Sequence, residues 1–113
     1  MPFIRVNTNT HIEKSQEQLM TMELGVSIEC ISGKTEQWLM IEYNGDKGMA
    51  FAGWDAPCAM VEVDLLGEAD PEEKNNLTAN ICSIVDVVLS IPKDRVYVRY
   101  LETDSWGFDG QNF

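Results

Sequence analysis

Pro2-Phe3-Ile4-Arg5-Val6-Asn7-Thr8-Asn9 alternates apolar and polar side chains with period two, as a strand with one buried face does. Arg95-Val96-Tyr97-Val98-Arg99-Tyr100 repeats that alternation near the other end of the 113-residue chain. Two further strands are expected between them. Trp38-Leu39-Met40-Ile41-Glu42-Tyr43 is rich in aromatic and branched residues and stops at the turn signal Asn44-Gly45-Asp46, and Cys58-Ala59-Met60-Val61-Glu62-Val63-Asp64-Leu65 ends near Gly67. The gaps read as helices. Ser15 with Gln18 has capping-box spacing, and Met20, Leu24, Ile28 and Ile31 then recur at helical intervals up to Gly33. Asp70-Pro71-Glu72-Glu73 combines a capping acid, proline at the first helical position and carboxylates favoured by the macrodipole, with Leu77, Ile81, Ile84 and Val88 following on one face.

The order is strand, helix, strand, twice over, and Glu36–Tyr43 and Lys93–Tyr100 read as corresponding segments of a doubled unit. It predicts an α+β fold: a β-α-β-β-α-β pseudo-repeat whose four-stranded mixed sheet carries both helices on one face. Residues 1–113 make one domain at this length. Gly48 to Pro57 is a connection, Trp106-Gly107-Phe108-Asp109-Gly110 a short C-terminal hairpin, and Gly25 a point of close packing against a neighbouring backbone. A sheet with parallel crossovers is rarely bare on one side, and the chain has no third helix to cover it. Oligomerisation is the economical expectation.

A formal net charge of -11 argues against nucleic acid and against anionic membrane surfaces as partners. Cys30, Cys58 and Cys82 are odd in number, far apart and set in apolar segments, which suits buried thiols in a reducing compartment better than a disulfide framework. Polar residues from Arg5 onward leave no signal-peptide core, and a leaderless chain is expected. His11, the one histidine, lies in a polar segment without partners of metal-ligand spacing, so no metal is expected. Pro2 has two readings. With Met1 removed it carries a secondary amine on ordered backbone, a candidate base; otherwise it is a proline blunting the start of a strand.

The set Pro2-Phe3-Ile4, Val6-Asn7-Thr8-Asn9, Gly33-Lys34, Met49-Ala50-Phe51, Pro57-Cys58-Ala59, Leu66-Gly67, Asp94-Arg95-Val96-Tyr97-Val98 and the tail Trp106 to Phe113 spans nearly the whole chain. In this order and at these separations it resembles the macrophage migration inhibitory factor branch of the tautomerase superfamily. The resemblance implies a homotrimer with sites between adjacent subunits and cofactor-independent keto-enol tautomerisation of small aromatic 2-oxo acids such as phenylpyruvate, or of dopachrome derivatives. It implies Pro2 as the catalytic base. Lys34 and the backbone N–H of Leu66 would bind substrate oxygens, Tyr97 would enter from the adjacent subunit, and Trp106, Phe108 and Phe113 would supply aromatic walls.

Arg99 stands where an asparagine is common in the family, on the same strand face as Tyr97; it is read as a cation that strengthens carboxylate binding and lowers the Pro2 pKa, as a side chain that fills the pocket and excludes bulky rings, or as a channel-facing surface arginine. Trp38 is a candidate for the pocket rim or a buried strand aromatic. Cys58 matches the first cysteine of a family Cys-x-x-Cys pair, but Val61 fills the second position, which argues against a dithiol activity. The competing implication is a cytokine-like protein that engages a receptor, located in the cytoplasm or released by a leaderless route.

Overall fold

The computed structural model describes residues 1–113. Strand β1 (Pro2–Thr8) leads to helix α1 (Lys14–Ser27), a 3-10 turn (Ile28–Cys30), a second 3-10 turn (Glu36–Trp38) and strand β2 (Met40–Asn44). The second unit follows with β3 (Ala59–Leu66), α2 (Pro71–Leu89), a 3-10 turn (Lys93–Arg95) and β4 (Val96–Thr103), and a hairpin of β5 (Gly107–Phe108) and β6 (Gln111–Asn112) closes the chain. The sheet order is β2-β1-β3-β4. Its outer pairs are parallel and its central pair, β1 with β3, antiparallel, so the doubled unit and mixed sheet are as the sequence predicts.

Period-two alternation sorts the sheet into two faces. Ile4 and Val6 of β1 and Val61, Val63 and Leu65 of β3 are buried against Met20, Leu24, Leu77, Ile81 and Val85 of the helices. Each such side chain contributes about 1.5–3 kcal/mol when fully buried. The opposite face is open and charged. Arg5 reaches Asp64 at 3.1 Å, Glu62 at 3.4 Å and Glu42 at 3.6 Å, and Arg99 also binds Glu62. Met40, Tyr97 and Leu101 are large and exposed on this face.

Three local expectations are corrected. The capping box of α1 is Glu13 with Gln16, two residues upstream of Ser15 and Gln18: the Gln16 side chain accepts from the Glu13 N–H at 2.8 Å. The sequence rule for this motif starts from Ser or Thr and so does not single out Glu13. The second strand begins at Met40, and Trp38 lies in the 3-10 turn before it, 43% exposed and not a buried strand aromatic. Gly25 makes room for a side chain: a Cβ there would stand 3.1 Å from the Glu36 Cβ. The start of α2 is as read, with Asp70 accepting from the Glu72 N–H at 2.8 Å and Pro71 opening the helix.

Candidate functional site

Pro2 is buried at the head of β1, paired with Leu65 of β3, and this fixes it at one end of the sheet. A cleft of about 600 Å³ opens there, lined by Pro2, Phe3, Trp38, Met40, Trp106 and Phe108 among others. Two separate segments, the turn before β2 and the C-terminal hairpin, build its aromatic wall. Trp38, from the turn before β2, meets the Phe108 ring edge-on at 5.2 Å, and Phe113 lies nearly parallel to Phe108 at 6.3 Å. The hairpin holding both phenylalanines is tied by the Phe113 N–H to the Trp106 carbonyl at 2.9 Å.

Lys34 arrives by a different route. Gly33 adopts φ +81°, a left-handed conformation that costs glycine little, and it turns the chain after the first helical segment. The Lys34 Nζ then donates to the Leu66 carbonyl at 2.8 Å, while the Leu66 N–H donates to the Met1 carbonyl at 3.2 Å. The amino terminus, Lys34 and the end of β3 therefore meet. Desolvation and then the hydrogen bond and charge of Lys34 lower the Met1 amine from 8.0 to about 6. Burial disfavours the charged ammonium, and the neighbouring lysine cation disfavours it further.

Tyr97 and Arg99 lie apart from this corner. Pro2 pairs with Leu65 and Leu65 with Glu102, whereas Tyr97 pairs with Met60 and Met60 with Asn7. Asn7 is five residues along β1 from Pro2, roughly 17 Å at about 3.3 Å per residue. Neither Tyr97 nor Arg99 reaches the Pro2 of its own chain. Tyr97 is 61% exposed and rests against Phe51, ring centroids 4.9 Å apart; Arg99 is held by Glu62, which also binds Arg5. Of the residues singled out in the sequence, Pro2, Trp38, Trp106 and Phe108 share one cleft with Phe113 stacked at its edge, and Lys34 and Leu66 join at the terminus.

Cys58 is buried and free, and Cys30 and Cys82 are free and half-buried. His11 lies on the surface between Asp46 at 2.8 Å and Glu13 at 3.3 Å and does not line the cleft. No helix is long and apolar enough to cross a membrane.

The entire chain, residues 1–113, matches the family described as macrophage migration inhibitory factor (MIF). This chain belongs to the macrophage migration inhibitory factor family. That family is part of the tautomerase superfamily. The MIF of Mus musculus is 28% identical over 115 residues, which cover 100% of this chain and 99% of the mouse protein. The solved structure of Leishmania major MIF2 superimposes with a TM-score of 0.94 at 27% identity, covering 100% of this chain and 97% of that one. The MIF of Trichinella spiralis, at 20% identity, shares the fold with a TM-score of 0.83 over 98% of this chain and 99% of its own. MIF membership accounts for the doubled unit and for the resemblance that runs from Pro2 to the C-terminal hairpin.

Arg95 is the residue that sequence reasoning passed over. Its guanidinium gathers four main-chain carbonyls from the 48–57 connection. A lone arginine before a strand carries no sequence signal for such contacts, because its acceptors are backbone atoms about forty residues away.

Proposed function

We propose that this protein is a cofactor-independent keto-enol tautomerase for small aromatic 2-oxo acids, with Pro2 as its base once Met1 has been removed. The observation that carries the reading is the convergence at the amino terminus. Met1 places its carbonyl on the Leu66 N–H and its amine beside Lys34, so its removal would free both donors for an anionic substrate and leave the Pro2 nitrogen as the terminal amine. The Met1 carbonyl oxygen stands in for a substrate oxygen.

In the proposed reaction the neutral Pro2 nitrogen takes a proton from the carbon beside the oxo group. The C–H electron pair becomes the carbon-carbon double bond, the carbonyl pair moves onto oxygen, and the proton is returned to that oxygen; the reverse path regenerates the ketone. Lys34 and the Leu66 N–H oppose the charge that builds on the substrate. The walls of Trp38, Trp106, Phe108 and Phe113 match an aromatic ring and exclude water, which also keeps the amine neutral.

A homotrimer completes the proposal. The open sheet face needs cover, and Tyr97, roughly 17 Å along the strands from its own Pro2, can serve a site only on a neighbouring chain. Arg99, engaged by Glu62, acts in this reading as part of the sheet-face ion network and not as a second carboxylate anchor. The direct test is the rate of phenylpyruvate tautomerisation by the Met1-free protein and by its Pro2→Gly variant. A steep loss in the variant supports the proposal, and equal rates contradict it.

A second reading, a cytokine-like protein that binds a receptor, draws on the name its relatives share and on the exposed Leu19, Met22, Val26 and Val87 of the helices. Contiguous exposed apolar side chains mark contact surfaces. The two readings are compatible, since the helices lie on the opposite side of the sheet from its charged face.

A further inference from the structure

The connection between β2 and β3 is held at two levels. Its base is tied by Asn9, whose side-chain amide donates to the carbonyls of Met49 at 3.3 Å, Asp55 at 3.0 Å and Ala56 at 3.1 Å and accepts from the Cys58 N–H at 3.0 Å. Its tip is a tight turn in which Phe51 and Trp54 exchange backbone hydrogen bonds at 2.9 and 3.1 Å, with Ala52 and Gly53 at φ +57° and +75° between them. Arg95 holds this tip. Its Nη1 donates to the Phe51 carbonyl at 3.3 Å, its Nη2 to Trp54 and Ala56 at 3.1 Å each, and its Nε to Pro57 at 2.9 Å. The same guanidinium lies 5.2 Å from the ring centroids of both Phe51 and Trp54.

Phe51 in turn rests on Tyr97, two residues beyond Arg95 on β4, the strand that follows the 3-10 turn ending at Arg95. We propose that Arg95 is a positioning residue for Tyr97: by clamping the loop tip it presses Phe51 against the tyrosine ring and sets the wall that Tyr97 offers to a neighbouring protomer's cleft. The proposal deepens the tautomerase reading and rests on it for its functional consequence. A salt bridge does not explain the arginine, because its polar partners are all backbone carbonyls. A lysine cannot replace the fork: its single ammonium offers a point charge where five N–H groups in a plane are needed to span four carbonyls and two rings. Asn9 keeps the base of the loop in either case, so loss of the clamp loosens the tip while leaving the fold.

The test compares the unaltered protein with Arg95→Lys and Phe51→Leu. Proton NMR reads the geometry without any turnover: the ring signals of Tyr97, assigned by their loss in Tyr97→Phe, shift in Arg95→Lys while those of Tyr43 and Tyr100 stay in place. Unmoved Tyr97 signals overturn the proposal whatever the enzyme does. Absence of turnover in the unaltered protein counts against the tautomerase reading alone, and the NMR comparison still decides the clamp. Where turnover is present, each single variant raises KM for phenylpyruvate roughly three- to tenfold with kcat little changed, and the double variant is no worse than either single. Losses that multiply in the double variant, or a fall in kcat with KM unchanged, contradict a path from Arg95 through Phe51 to Tyr97.

Discussion

Replacing Lys34 with methionine keeps the side-chain stem and removes the charge that donates to the Leu66 carbonyl at 2.8 Å. Two consequences follow, and they are separable. In the chain that retains Met1, Lys34 supplies the second and third causes that lower the amine from 8.0 to about 6, and desolvation supplies the first. The variant's amine should therefore titrate above about 6 but below 8.0, by NMR of an amine labelled with ¹⁵N. The sign matters for catalysis. A cation beside a freed Pro2 amine likewise disfavours its protonated form, so losing the Lys34 charge should leave less neutral base near neutrality. In the Met1-free protein the same substitution also deletes an anion contact. Charge-assisted hydrogen bonds are worth about 1.5–3 kcal/mol, which converts to a fall in kcat/KM of roughly one to two orders of magnitude for phenylpyruvate. Its methyl ester, without the carboxylate charge, should lose much less. Equal losses for acid and ester, with an amine pKa that does not move, would refute the role given to Lys34 and assign it to tying the end of β3.

Light scattering at micromolar concentration should report three subunits, and a stable monomer would leave Tyr97 without a site to serve. Asp70→Ala removes the acceptor for the Glu72 N–H and should cost about 1 kcal/mol of folding stability by chemical denaturation, with little change in kcat; no loss would mean that Pro71 alone starts α2. His11 is raised above its ordinary 6.5 by the Asp46 hydrogen bond and then by the charges of Asp46 and Glu13. Its folded pKa exceeds the unfolded one, so its stabilising contribution is complete below pH 6.5 and disappears as pH rises through the raised value. Denaturation midpoints of the protein and of His11→Ala should accordingly differ at pH 5.5 and converge by pH 8.5; a constant difference would show that the imidazole charge plays no part.

The strands were legible because their alternation is a one-dimensional signal. Ile4, Val6, Val61 and Val63 could be assigned to the buried face from spacing alone, and Asp70-Pro71 announced α2. Trp38 reads as strand because aromatic and branched residues favour strand whether or not a 3-10 turn intervenes, and the turn is closed by backbone bonds that no side chain announces. The site was partly readable. Pro2, Lys34 and the aromatic tail stood out through the family pattern, but the partners of Arg99 and Arg95 depended on register. Glu62 faces Arg99 only because β3 pairs in parallel with β4 at that offset, and the acceptors of Arg95 are carbonyls, which every residue carries.

The central claim is that a free Pro2 amine is the base, and one comparison tests it most directly. Met1-free protein, verified by intact mass, is assayed for phenylpyruvate tautomerisation against pH beside the same protein with its terminal methionine retained. The account predicts that the Met1-free form is active, with activity lost as pH falls through an amine pKa below the usual α-amino value of about 8, and that the Met1-retaining form is inactive because its Pro2 nitrogen is an amide. Equal rates from the two forms would contradict it.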